Sequence, residues 1–196
     1  MVIFGIAAIG WSIFHGVRSE APHNTASPNA YATPLVDGQT IGSTILPPGD
    51  SRFGGHGEAI VGIRCDTMEQ AAFHIHAHLA IFLHGRQIAV PAYVGIVSNG
   101  EPPCIYWLHT HDAAGIIHIE APALRAFTLR DFFAVWGQPL SAHRVGPYSG
   151  RVRAYVGSLH YRSDPRSISL TAHEEITLEV GRPYVSPPKY TFPSDD

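Results

Sequence analysis

Between about Ile63 and Gly181, apolar and polar residues alternate in short runs separated by turn residues, which is the period of strands. Phe73 to Leu83 is the longest run. His84-Gly85 then turns the chain into Arg86 to Val90, a hairpin pattern, and Pro91 ends the second strand or marks it as an edge. Cys104 to His111 reads as a third strand. The turn-like Asp112-Ala113-Ala114-Gly115 leads back into Ile116 to Glu120, a fourth strand that pairs with the third. Arg151 to Tyr161 and Glu175 to Val180 complete a set of about six strands. One segment has the other period: Thr128-Leu129-Arg130-Asp131 is a capping-box pattern, and Leu129, Phe132, Phe133 and Trp136 recur on one helical face before Gly137. These aromatics read as core that covers the sheet, not as a cofactor box. The predicted class is α+β: a mostly antiparallel sheet of about six strands with one packed helix, β-grasp-like or a partly open barrel.

The flanks follow neither pattern. Met1 to Val17, MVIFGIAAIGWSIFHGV, is apolar and free of Asp, Glu, Lys and Arg up to Arg18. At about 1.5 Å per residue it reaches roughly 25 Å, near the thickness of a bilayer core. A cleaved signal is disfavoured, because no basic segment precedes the run and Ser19-Glu20-Ala21 carries a charge and is followed by Pro22. Residues 1–18 are therefore expected to form a retained N-terminal membrane helix. It would make a single-pass protein of the cell membrane with its globular part on the extracytoplasmic, periplasmic side, although Arg18 alone says little about orientation. Residues 19–62 are rich in Pro, Gly, Ser and Thr and read as an extended linker, 63–181 as the His-rich β domain, and 182–196 as an extended tail. No internal repeat is present.

Composition narrows the function. The chain has 196 residues, 45% of them apolar and 15% charged, so a sizeable core is available. Thirteen Lys+Arg against 16 Asp+Glu leave a net charge of −3 and no basic field for nucleic acid. Histidine stands out, with 13 residues, seven of them between His74 and His118.

In FHIHAHLAIFLHG, His74, His76 and His78 share one face of a strand at intervals of roughly 6.6–7 Å. His109 and His111 share a face in WLHTHD, as do His118 and Glu120 in IIHIE. Neighbouring strands about 4.8 Å apart can place three or four imidazoles around one ion. The first candidate ligands are His76, His78, His109 and His111, with His74, His118, Glu120 and Asp112 as reserves or supporting partners. Imidazole suits Zn²⁺ and Cu²⁺, with Fe²⁺ allowed. His160 and His173 read as ordinary isolated histidines, and His23, His56 and His143 as solvated. Cys65 and Cys104 are most simply a disulfide in an exported domain, a ligand role staying open. Met68 is the one internal methionine, which argues against blue-copper and Cu(I) thioether sites.

HIHAHLA, residues 74–80, resembles the signature of the histidine-triad nucleotide hydrolases and would place His76 as nucleophile. That family has hairpins and a helix upstream where this chain has a Pro/Gly-rich stretch, and no phosphate-binding loop follows, so the match reads as coincidental. Over Cys65 to Gly181, HIHAHLAIFLHGRQIAVPA, CIYWLHTHDAAGIIHIEAP and FTLRDFFAVWGQPL resemble a group of uncharacterised exported bacterial proteins with H-x-H-x-H-L and L-H-T-H-D motifs. The resemblance implies export and a His-rich site, and no activity.

The leading expectation is a membrane-tethered extracytoplasmic module that binds Zn or Cu without catalysis, as a chaperone, a buffer or an accessory subunit of a membrane complex. The alternatives are a structural accessory subunit of such a complex without bound metal, and a His-ligated hydrolase or oxygenase with Asp112 or Glu120 as base.

Overall fold

The computed structural model describes residue 1, residues 32–49 and residues 53–194. Its centre is a seven-stranded sheet made of β1 (Phe73–Leu83), β2 (Arg86–Ile88), β3 (Leu108–His109), β4 (Ile116–Ala121), β5 (Val152–Val156), β6 (Leu159–Tyr161) and β7 (Glu174–Val180). The order across it is β6-β5-β7-β1-β4-β3. β1 is long enough to take two partners along one edge, β4 beside Phe73 to His78 and β2 beside Ile81 to Leu83. The turn between β1 and β2 holds both His84 (φ 49°) and Gly85 (φ 75°) in the left-handed region, which matches the twist of a two-residue hairpin.

The sheet is mostly antiparallel, as expected, but two features depart from the expected α+β class of about six strands. First, the described residues are predominantly β, with one eight-residue α-helix among them, α1 (Leu129–Trp136), and several short satellite sheets. Second, β1 and β7 run parallel, Ala77 opposite Glu174 through Leu83 opposite Val180. Two of the sequence runs also divide. Arg151 to Tyr161 breaks at Gly157 (φ 55°) into the β5–β6 hairpin. Cys104–Tyr106 leaves the main sheet to pair with Cys65–Asp66 and Ile96–Val97, and the chain rejoins the sheet as β3.

The expected N-terminal membrane helix, and with it the single-pass membrane placement, is not upheld. Among the described residues no helix is long and apolar enough to cross a membrane. The eight residues of α1 rise only about 12 Å against a hydrocarbon core of about 30 Å. The apolar run itself, beyond Met1, lies outside the described residues.

Of the segments expected as linker and tail, residues 32–49 and 182–194 run along the domain, while residues 19–31, 50–52 and 195–196 lie outside the described residues. Thr33–Pro34 pairs in parallel with Tyr190–Thr191, and single bridges join Thr40 to Ala113 and Ser43 to Ile88. A few apolar anchors hold them there, since Leu35, Leu46 and Tyr190 are buried.

The main core lies on one face of the sheet. Ala77, Leu79 and Ile81 of β1, Ile117 and Ile119 of β4, and Ile176 and Leu178 of β7 meet Leu129, Phe132, Phe133 and Trp136 of α1. The Thr128 N–H donates to Asp131 Oδ2 at 2.9 Å to start the helix, and Gly137 in the left-handed region ends it. The opposite face of β1 is divided. His74 and His76 occupy its first half, while Ala80 and Phe82 of the second half lie under Leu35, Ile116 and Tyr190.

Candidate metal centre

The site follows from strand register. β4 runs antiparallel to β1, with Glu120 opposite His74 and His118 opposite His76. β3 runs antiparallel to β4, with His109 opposite His118. Directly opposed residues hold their Cβ atoms about 4.5–5.5 Å apart, so His76, His118 and His109 form a row of imidazoles across three strands. His111 follows just beyond β3. Glu69, from the segment between Cys65–Asp66 and β1, reaches the same cluster.

The contacts are short. His76 Nε2 lies 3.0 Å from His74 Nε2 and 2.9 Å from His118 Nδ1. Glu120 Oε1 lies 3.1 Å from His74 Nε2 and 3.5 Å from His118 Nδ1. On the other side of His118, His109 Nε2 and His111 Nε2 are 3.2 Å apart, and Glu69 Oε1 is 3.2 Å from the His111 nitrogen. His76, His109 and Glu120 are buried, whereas the side chains of His74, His111 and Glu69 are 45%, 44% and 47% exposed. The cluster therefore has a buried floor and a solvent-facing rim.

His109 shows how such a floor is set. Its Nδ1 lies 2.9 Å from the Tyr106 carbonyl, which only accepts, so Nδ1 carries the proton and donates it. Nε2 is left as a bare lone pair directed into the cluster, the tautomer and orientation that a metal ligand needs.

Burial, with His118 and His74 alongside, pushes the His76 imidazole down to about 4. Burial and the neighbouring His118 push His109 down to about 3. Burial alone would raise the Glu120 carboxyl, but the His118 hydrogen bond and the nearby His109 and His74 hold it below its ordinary value. At neutral pH the floor therefore presents neutral imidazoles and a carboxylate, so an entering cation displaces no proton from them. These His/Glu groups could hold a metal ion, their ligand atoms lying within 4.8 Å of one another in each group.

No protein-family model matches the chain, and neither a curated protein nor a solved structure matches it. The geometry of the site carries the functional reading.

Of the residues singled out in the sequence, His74, His76, His109, His111, His118 and Glu120 come together, and His78 and Asp112 do not. His78 shares the parity of His76, but its cross-strand neighbour is Ile116 and the C-terminal segment covers it. Its Nε2 donates to the Ala114 carbonyl at 2.9 Å, its ring lies 3.8 Å from that of Tyr190, and burial lowers its pKa to about 4. Asp112 is a clamp. One carboxylate oxygen accepts from Ala114 N–H at 2.8 Å and the other from Gly38 N–H at 2.6 Å, joining the β3–β4 turn to the segment that carries Leu35. Cys65 and Cys104 form a disulfide with Cα atoms 5.3 Å apart, so neither is a thiolate ligand. The bond points to an oxidising compartment.

Glu69 is the residue that the sequence did not reveal. It sits in Thr67-Met68-Glu69-Gln70, where no periodicity marks it, and only its short distance from Cys65 and β1 hints at the role. A cavity of about 520 Å³ opens beside the rim, lined in part by His111, His118, Tyr93, Asp112 and Thr40.

Proposed function

We propose that the protein is a transition-metal-binding module of an oxidising compartment that takes up Zn²⁺ or Cu²⁺ as a chaperone, a buffer or an accessory subunit of a larger complex. The observation that carries this reading is the convergence of five imidazoles and two carboxylates on one face of the sheet. The donor set is all nitrogen and oxygen, which suits Zn²⁺ and Cu²⁺ and accepts Fe²⁺, and it disfavours Cu(I), which prefers sulfur. The half-exposed rim supports uptake and release rather than permanent storage.

The full chain, purified without an affinity His-tag at neutral pH and analysed for metals, tests the reading. About one or more Zn, Cu or Fe per chain, lost in the His76→Ala/His109→Ala variant, is the expected result. Folded protein that takes up none of these ions from micromolar solutions would overturn it in favour of a metal-free structural subunit. The cavity beside His111 and His118 favours a second reading, a His-ligated metalloenzyme. Hydrolysis of activated esters or oxygen consumption by the metal-loaded chain, abolished in the same variant, would establish it.

A further inference from the structure

We infer that the cluster is a two-ion centre, with Glu120 at the boundary between a closed position and an open one. The inference rests on the metal-binding reading above and deepens it.

An ion with bonds of about 2.0–2.2 Å holds donors that are at most about 4.4 Å apart. The donors here do not form one such set. His74 and His76 close into a compact group with His118 and Glu120, and His109 and His111 close into a separate group with the same two residues. A single ion reaches one of these groups and leaves the other pair of imidazoles unused.

Each group also has the shape of a metal position. Around the first position the successive contacts are His74 to His76 at 3.0 Å, His76 to His118 at 2.9 Å, His118 to Glu120 at 3.5 Å and Glu120 to His74 at 3.1 Å. These lie close to the donor–donor edge of about 3.3 Å in a tetrahedral site with bonds of about 2.0 Å. Three nitrogens and a carboxylate close this position. Around the second, His109 and His111 are 3.2 Å apart, and Glu69 lies 3.2 Å from His111 and 3.9 Å from His109. Two imidazoles and one carboxylate make a triangle, the donor set of a three-ligand site with room for an exogenous ligand. The cavity along His111 gives that ligand access.

Two dications in neighbouring positions repel, and an anion between them offsets that cost. The same Glu120 oxygen that lies 3.1 Å from His74 lies 4.0 Å from His109. A carboxylate there faces both ions, and Glu69 supplies a second negative charge at the open position. The closed ion organises the site, and the open one binds water, hydroxide or a small anion.

The experiment is Cu²⁺ loading of the metal-stripped full chain, with ion content measured after desalting and the spin count read by electron paramagnetic resonance. About two Cu²⁺ per chain, with a signal well below the copper content because the ions couple, is the expected result. Glu69 lies half-exposed outside the sheet, so Glu69→Gln folds as the parent does. It is expected to hold about one Cu²⁺ per chain with its full, isolated signal. Saturation of the parent chain at one ion would overturn the two-ion inference while leaving the metal-binding reading intact. Two ions retained in Glu69→Gln would overturn it by placing the second ion elsewhere. Uptake of no copper would overturn the two-ion inference, and uptake of neither copper, zinc nor iron would overturn the metal-binding reading with it.

Discussion

His78→Phe is expected to flatten the acid side of the stability curve. His78 is fully buried, donates one ring nitrogen to the Ala114 carbonyl and packs its ring on Tyr190. Burial lowers its pKa from 6.5 to about 4. Between those values the unfolded chain binds a proton at this position and the folded chain does not. Stability from this group is therefore complete above pH 6.5 and is lost as the pH falls toward 4. At about 1.4 kcal/mol per unit, the loss reaches about 2 kcal/mol at pH 5 and about 3 kcal/mol at pH 4. The assay is urea unfolding of the metal-stripped chain and of His78→Phe at pH 7, 6 and 5. The substitution removes a hydrogen bond and shifts all three values alike, and the slope contributed by His76 and His109 is common to both proteins. What reads the linkage is the narrowing of the gap, by about 2 kcal/mol, between pH 7 and 5. Two curves that stay parallel over this range would refute the argument, since His78 would then titrate in the fold as it does in the unfolded chain.

Four further outcomes follow from the same geometry. The disulfide closes a separation of 39 residues, so Cys65→Ala/Cys104→Ala should cost about 4 kcal/mol and lower Tm by roughly 8–16 °C in a calorimetric scan. Phe133→Ala, which empties part of the core under α1, should cost about 3–5 kcal/mol in urea unfolding at neutral pH. Zn²⁺ at a hundred times its Kd should add about 2.7 kcal/mol to the stability of the parent chain, reversed by a chelator and absent in His76→Ala/His109→Ala. Asp112→Ala removes the acceptor for two backbone N–H groups and should cost about 2 kcal/mol with the metal content unchanged; loss of metal would show that Asp112 is a ligand after all.

What the sequence made legible was local. The alternation from Phe73 to Leu83 marks β1 and sorts its side chains onto two faces, because side-chain direction in a strand depends only on parity. Thr128 and Gly137 bracket α1, because caps act over three or four residues. The cysteine pair was legible by arithmetic. The rest depends on what comes to lie nearby from elsewhere in the chain. Parity places His78 with His76, but the cover over His78 comes from Tyr190, at the far end of the chain. The parallel pairing of β1 with β7 leaves no mark in either strand, and Glu69 belongs to no repeating pattern. The apolar run at Met1–Val17 suggested a membrane helix by composition alone, and no helix among the described residues is of that kind.

The contrast between floor and rim has a kinetic side. His76, His118 and His109 are fixed by register, so in the proposed metal-binding role their donors would lose little freedom when an ion arrives and would set how tightly it is held. His74, His111 and Glu69 are half in water and can swing away singly. In the proposed metal-binding role, an incoming donor from another molecule would replace them one at a time, so that an ion would leave through a series of small barriers and would not have to be stripped in one step. A metal centre built this way would combine firm retention with quick hand-over, because separate side chains would govern the two.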